Sequence, residues 1–337
     1  MDIKTTLFEL SNNAGIGCVR DAADTAAEIL GKYCTVTRFD NMSILGEIKG
    51  ESDYSILLDA HIDEVGFIVT HISDDGFLTV AKCGGIDLRH LPTKAVTIHS
   101  KEKISGVFSS IPPHLSKGDD ISDDITDYKI DTGLGKDAKD IVSVGDFVTF
   151  NATATALGGT SVTGKSFDDR AGVCVLLELA SRLADKKPPV TVKFLLSDAE
   201  ELGLRGAGIA TYNLNPDEAI AIDVSFGNGP DISPYDCGIL GDGAMIGISP
   251  ILHRPISDKL IAVAKENGIK YQTEVMGGKT STNADVISIV KGGIKTGLVS
   301  IPLRNMHTDC EILDINDINS VCDLLLKYIM SGGVQNA

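Results

Sequence analysis

The sequence predicts an α/β protein: a mixed, mostly parallel sheet flanked by helices, interrupted by an inserted all-β, barrel-like domain. Three observations point there. Apolar, β-branched runs alternate with helical patterns towards both ends of the chain, as strands and their covering helices do. From about residue 67 to 160 that alternation stops, and short strand-like pieces separated by turns replace it. Several apolar runs also end on acids or histidines, which places polar chemistry at one edge of a sheet, where open α/β proteins bind ligands. The expected domains are 1–66 with 161–337 as the α/β part, and 67–160 as the insert.

The elements follow in order. Residues 3–12 suit a short helix. Residues 22–33 suit a better one, with Ala22, Ala26, Ile29, Leu30 and Tyr33 at helical spacing after Gly15-Ile16-Gly17. Strands are expected at 35–39, 43–48 and 54–60. The last runs straight into His61-Ile62-Asp63. His61 and Asp63 share a face of an extended chain. That spacing lets a histidine bind a metal while the acid orients its ring; a hydrogen-bonded histidine after a strand has the same look. The insert offers strands at 67–72, 77–81, 95–98, 104–109 and 142–150. Turns such as Asp74-Asp75-Gly76, Gly84-Gly85, Pro112-Pro113 and Val144-Gly145-Asp146 separate them. The acidic run 119–127 reads as an exposed loop. His71, His90, His99 and His114 have no acid cluster at ligand spacing around them and read as structural.

Helical pattern resumes at Asp169 and continues through the apolar stretch 173–183. Asp168 and Asp169 stand at its start, where an aspartate serves as a cap or as a held, bridging carboxylate. The stretch Val190–Gly206 opens as a buried strand, stops at Ser197-Asp198 and delivers two adjacent acids, Glu200 and Glu201. Such a pair suits a solvated helix start. It equally suits a site where one acid faces a metal and the other a water. Residues 218–224 form another apolar strand carrying Asp223, an expensive acid to bury unless it is paired or metal-bound. A helix at 257–266 closed by Gly268, a strand at 271–276, a helix at 283–290, a strand at 295–301 and a helix at 318–330 complete the chain. His307 follows the last strand.

Composition limits the function. The 337 residues carry a net charge of -17, and a phosphate-binding surface needs the opposite sign. No nucleic-acid partner is therefore expected. No apolar run approaches a membrane span and no signal segment is evident, so no membrane partner and a cytoplasmic protein are expected. The seven cysteines are scattered without a Cys-x-x-Cys. They read as reduced thiols, mostly buried, with Cys310 packing rather than acting as a nucleophile.

Collected, the polar groups at strand and helix ends are His61, Asp63, Asp168, Glu200, Glu201, Asp223 and His307. Two histidines and three carboxylates suit a dinuclear site for a borderline divalent ion. Such pairs activate water and polarise carbonyls in aminopeptidases.

Five stretches match a known family in order: 60–67 (Ala-His-Ile-Asp-Glu-Val-Gly-Phe), 167–172 (Phe-Asp-Asp-Arg-Ala-Gly), 199–207 (Ala-Glu-Glu-Leu-Gly-Leu-Arg-Gly-Ala), 222–224 (Ile-Asp-Val) and 301–308 (Ile-Pro-Leu-Arg-Asn-Met-His-Thr). On them the chain resembles the glutamyl aminopeptidase family of dinuclear-metal peptidases, which includes tetrahedral aminopeptidases and members once labelled cellulases. The resemblance implies the dinuclear zinc-peptidase fold with a barrel-like assembly domain. It implies two divalent ions per subunit, zinc or cobalt, bridged by Asp168. His61 and Asp223 would complete one ion, and Glu201 and His307 the other. Glu200 would be the general base, Asp63 the partner of His61, and Asp169 a residue fixing the backbone there. Small peptides would be the substrates, and a homo-oligomer, a dodecamer in many members, the assembly.

The chain departs from that family at its 277–285 loop, which reads Gly-Gly-Lys-Thr-Ser-Thr-Asn-Ala-Asp, and at Asn305. Lys279 and Arg304 could favour acidic N-terminal residues or serve solvent-facing and structural duty. Two other functions compete. A metal-independent glycoside hydrolase needs two carboxyls across a sugar. It leaves both histidines unexplained in a chain with no Trp and 5% aromatic residues. A non-catalytic assembly protein would not need the whole constellation.

Overall fold

The computed structural model describes residues 1–112, 114–115, 122–230 and 232–335. Two helices lead, α1 (Ile3–Asn12) and α2 (Asp21–Leu30), followed by strands β1 (Thr35–Arg38), β2 (Ile44–Ile48) and β3 (Ser55–His61). Strands β4 (Gly66–Ile72), β5 (Leu78–Cys83), β6 (Ala95–His99), β7 (Lys103–Phe108), β8 (Ile130–Asp131) and β9 (Phe147–Phe150) form the insert, with a single helical turn α3 (Ala138–Ile141). Then come β10 (Thr155–Ala156), β11 (Ser161–Gly164), α4 (Phe167–Leu183), β12 (Thr191–Ser197), α5 (Arg205–Leu214), β13 (Glu218–Phe226) and β14 (Ala244–Ile248). The chain ends with α6 (Arg254–Asn267), β15 (Tyr271–Val275), α7 (Ala284–Ile287), β16 (Lys295–Leu303), β17 (Glu311–Asp314) and α8 (Ile315–Met330).

Eight strands make one sheet in the order β1-β2-β12-β3-β13-β16-β14-β15. Its centre, β12-β3-β13-β16, is parallel. Strands β1 and β2 add antiparallel pairs at one side, and β14 runs antiparallel to β16 at the other. Both faces are covered, as parallel strands require. Ile56, Leu58, Phe194, Ile220 and Ile222 face the core shared with α1, α2, α4, α6 and α8. Leu57, Leu195 and Ala219 face Ala207 and Ala210 of α5 and Ile287 of α7. The alternation along each strand therefore meets apolar partners on both sides.

The insert closes into a six-stranded barrel in the order β4-β5-β8-β7-β6-β9. Its own core holds Phe67 edge-on to Phe108 and Phe150, with ring centroids 5.1 and 5.6 Å apart. Strand β10 lies outside the barrel. It pairs with β11, which pairs with β17 in a three-stranded sheet beside the main one.

Some local expectations change. Residues 142–150 were expected to be one strand, yet α3 ends at Ile141 and a turn intervenes. Gly145 has φ +99°, and the Ser143 N–H donates to the Asp146 carboxylate, so the strand starts only at Phe147. The helix expected at 283–290 is one turn, Ala284–Ile287, because the chain then folds back and the Ile294 N–H bonds Ser288 O. Part of the acidic loop, 119–121, lies outside the described residues. Its end forms a 3-10 turn capped by Asp124. Only Cys174 and Cys322 are buried, and Cys310 is exposed rather than packed. Among the described residues no helix is long and apolar enough to cross a membrane.

Candidate metal centre and active site

The carboxyl ends of β3, β12, β13 and β16 lie at one edge of the sheet, because all four run parallel. His61 is the last residue of β3, Asp223 lies in the second half of β13, and Glu200 and Glu201 follow β12 within three or four residues. His307 follows β16, and Asp168 sits at the entry to α4. Asp168 and Asp169 have non-helical backbone angles there, and the peptide between them is cis. Non-glycine residues in the left-handed region bracket the site: Ser166, Ala199 and His307, with φ between 56° and 61°. Such backbone is costly and concentrates at functional sites.

Every candidate comes together. Asp168 presents its two oxygens to the two histidines: Oδ1 lies 3.0 Å from His61 Nε2, and Oδ2 lies 3.2 Å from His307 Nε2. Asp223 Oδ1 is 4.0 Å from His61 Nε2, and Glu201 Oε1 is 3.1 Å from His307 Nε2. The other ring nitrogens are held from behind. His61 Nδ1 faces the carbonyl of Asp63 at 3.2 Å and its carboxylate at 3.4 Å. His307 Nδ1 faces the carbonyl of Gly85 at 2.6 Å, which brings the end of the barrel into the site. An acceptor behind Nδ1 leaves Nε2 as the nitrogen available to a metal.

Asp63 does more than face His61. Its carboxylate accepts the backbone N–H groups of Glu200 and Glu201 at 3.0 and 3.2 Å, and so sets the direction of the acidic pair. Asp169 accepts the N–H of His61 at 3.2 Å and of Gly172 at 2.9 Å, tying the start of α4 to the end of β3.

Sequence reading missed Glu311. This buried acid accepts the N–H of His307 at 2.8 Å and of Asp168 at 3.2 Å. It therefore holds the backbone of residues on both sides of the cluster. An acid four residues after His307 was the only signal. Of the two cations considered for substrate choice, Arg304 donates from Nε and a terminal nitrogen to Asn228 and lines no part of this cavity. Lys279 does line it, from an exposed position.

The electrostatics follow from crowding. Burial pushes the carboxyls of Asp223 and Glu201 above their usual range, and neighbouring acids add to it. Burial likewise lifts Glu200 to about 7, with Glu201, Asp168 and Asp63 contributing against the pull of His61. Burial would raise Asp168 too, but the two imidazoles hold it well below the carboxylate range. Burial opposes charge on His307, yet Asp168 and Glu201 hold its proton up to about 11. So dense a set of buried acids needs positive charge among it. Its donors, imidazole nitrogen and carboxylate oxygen, are those that borderline divalent ions take. Three groups have donor atoms all within 4.8 Å of one another: Asp168 with Glu201 and His307, His61 with Asp169 and Asp223, and His61 with Glu200 and Glu201. Asp169 is already engaged by two N–H donors, so Asp168, the nearer to His61 Nε2, is the better ligand. The cluster opens into a cavity of about 620 Å³.

Comparison with known proteins identifies the family. The chain is 29% identical over 336 residues to the glutamyl aminopeptidase of Lactococcus lactis subsp. cremoris, covering 96% of this chain and 94% of the relative. It is 27% identical over 309 residues to the lysyl aminopeptidase of Pyrococcus furiosus, covering 89% and 88%. Its fold is similar to that of the TET1 peptidase of Pyrococcus horikoshii, which can assemble into a tetrahedron or a large octahedral shell. That match has a TM-score of 0.86 and 29% identity, and covers 97% of this chain and 99% of the other. The M42 glutamyl aminopeptidase family model matches residues 43–324, so the chain belongs to that family.

Proposed function

We propose that the protein is a metal-dependent aminopeptidase that removes N-terminal residues from small peptides, with two divalent ions and Glu200 as general base. One observation carries the reading: Asp168 turns one oxygen to each of two histidines whose far nitrogens are already held. In this reading Asp168 would be shared by the two ions, His61 and Asp223 would help hold one, and Glu201 and His307 the other. Zinc or cobalt bound there would polarise the scissile carbonyl and lower the pKa of the attacking water.

The chain's own groups do the rest. Glu200 takes the proton of the attacking water and returns it to the departing amine. A carboxyl lifted towards neutrality is suited to both acts. Asp63 fixes the ring of His61 and aims Glu200 through its backbone. The three elements that supply Asp168, Glu200 and His307 are covered by buried apolar side chains, which keeps the constellation in place. The free cysteines support a cytoplasmic setting. The barrel insert, 67–160, is read as the assembly domain of a homo-oligomer.

A glycosidase needs two carboxyls and no histidine ligand. The paired contacts of both histidines with Asp168 favour the peptidase. Metal analysis together with a panel of aminoacyl chromophores tests the choice. Cleavage that a chelator abolishes and zinc or cobalt restores is expected. Chelator-resistant cleavage of a β-glucan, with no aminoacyl hydrolysis, would overturn it.

A further inference from the structure

The cavity that opens from the acidic cluster contains two more carboxylates that the catalytic account does not use, the exposed Asp236 and the half-buried Glu274 on β15. The sheet register explains how Glu274 reaches the site. Asp223 on β13 pairs with Ser300 on β16, Ser300 pairs with Met245 on β14, and Gly247 of β14 pairs with Glu274. Paired residues share a face, and so do residues two apart on one strand. Asp223, Ser225, Ser300, Met245 and Glu274 therefore all look out from the same side of the sheet. Gly247 has no side chain there, so the Glu274 carboxylate reaches across β14. It accepts the hydroxyl of Ser300 at 2.8 Å and that of Ser225. Its head thus lies over β16, about 5 Å, one strand spacing, from the strand of Asp223.

The surroundings of this acid are unusual. Burial raises its proton affinity, and its described partners are two serine hydroxyls and no cation. An acid in a half-buried wall is costly unless something positive meets it. A glutamine would satisfy the same two serines at lower cost. The remaining wall is partly apolar, with Met245, Met276 and Phe226 lining the same cavity. An apolar channel ending in a carboxylate is complementary to a side chain with an aliphatic stem and a cationic tip. Lys279, the cation on this cavity, is exposed, where water screens it. Glu274 acts from the less polar interior, where a charge is felt more strongly.

We propose that Glu274 selects the substrate: the preferred N-terminal residue is lysine or arginine, its cationic head meeting the Glu274 carboxylate while its backbone lies at the acidic cluster. The inference rests on the aminopeptidase reading and deepens it. Glutamyl and aliphatic N-termini are the disfavoured classes.

The test is a panel of Lys-, Arg-, Leu- and Glu-p-nitroanilides with the metal-loaded wild type and Glu274→Gln. Calorimetry of free L-lysine against L-norleucine on both proteins gives a second readout. The glutamine is nearly isosteric and keeps the serine bonds. The wild type should favour Lys and Arg. In Glu274→Gln the Lys-to-Leu ratio of kcat/KM should fall about 10- to 100-fold, the worth of one charge-assisted hydrogen bond. Lysine binding should weaken towards that of norleucine. A wild type that prefers Leu or Glu, a ratio untouched by the substitution, or an equal loss on every substrate would overturn the inference while leaving the aminopeptidase reading intact. Hydrolysis of no substrate would overturn that reading and the inference with it.

Discussion

Glu200 and Glu201 are adjacent in sequence, yet their surroundings divide them. Glu201 pairs with His307 at 3.1 Å, whereas Glu200 is the acid lifted to about 7 beside the cluster. On the proposed reading, replacing Glu200 with Gln keeps the shape and removes the base. We expect Glu200→Gln to retain both ions by elemental analysis and to lose about 100- to 10,000-fold in kcat, the usual worth of a positioned base. Turnover like the wild type would reject the role. Glu311 poses a different question, since it touches backbone rather than any donor atom of the cluster. Glu311→Gln leaves one of its two N–H partners facing an amide nitrogen. Its metal affinity should fall about 10- to 100-fold, as for other residues that orient ligands. Titration with zinc and a competing chelator reads this directly, and an unchanged affinity would make Glu311 merely structural. The seven candidate residues were legible because each stands at or near the end of an apolar strand or the start of a helix, where an acid or histidine is conspicuous. Glu311 was not. Its role exists only because β17 pairs with β11 beside the entry to α4, a long-range pairing that no local pattern announces.

The loop after β3 and the entry to α4 are joined by a buried ionic cluster. Glu64 accepts from Lys165 Nζ at 2.6 Å, from the Ser166 hydroxyl at 2.5 Å and from the Gly15 N–H at 2.8 Å, and lies 3.7 Å from a guanidinium nitrogen of Arg170. Arg170 and Lys165 are buried, and Glu64 is the carboxylate that lies within ion-pair distance of both. Burial works against ionised Glu64, but the two cations hold its proton affinity below the usual 4.5. The folded form therefore binds fewer protons here than the unfolded chain. Stability from this group is present above about 4.5 and is lost as pH falls through the lowered value. Glu64→Gln should cost about 3–5 kcal/mol at neutral pH, since it leaves buried cations uncompensated. It should also flatten the acid limb of stability against pH. Urea unfolding at pH 7 and below pH 4.5 checks both, and a variant as stable as the wild type would show that water already relieves the cations. Helix and strand positions were readable wherever the apolar period was long, as in α4 and β12. They failed at α7 and before β9, where hydrogen bonds from residues beyond the segment decide the fold.

At the scale of the molecule, the sheet's two sides are treated differently. One side ends in β1, a four-residue strand whose exposed Thr35, Thr37 and Arg38 are polar, as guarded edges are. The other ends in β15, the last strand of the sheet among the described residues, which carries Val275, 74% exposed at the mouth of the catalytic cavity. Ile239 stands close by, since its N–H donates to Gln272 of the same strand, and it is 50% exposed. Phe226, at the end of β13, is 58% exposed and is joined to this segment through the Gly238 N–H. Exposed apolar side chains beside an edge strand are the kind of surface a second chain covers. The order of elements in the sequence revealed the insert and the mixed sheet, because a change of period is local. This rim was illegible, since it gathers residues 226, 239 and 275 only once the strands are ordered. A contact between copies of the chain at this edge, besides any made by the barrel, is therefore expected in solution. Light scattering on the purified chain measures the mass. The variant Ile239→Lys should shift it towards smaller species without lowering the melting temperature of the isolated fold, because this side chain belongs neither to the core nor to the lining of the catalytic cavity. A monomeric wild type would show that these side chains face water by themselves, and an unchanged large particle in the variant would move the interface to another face.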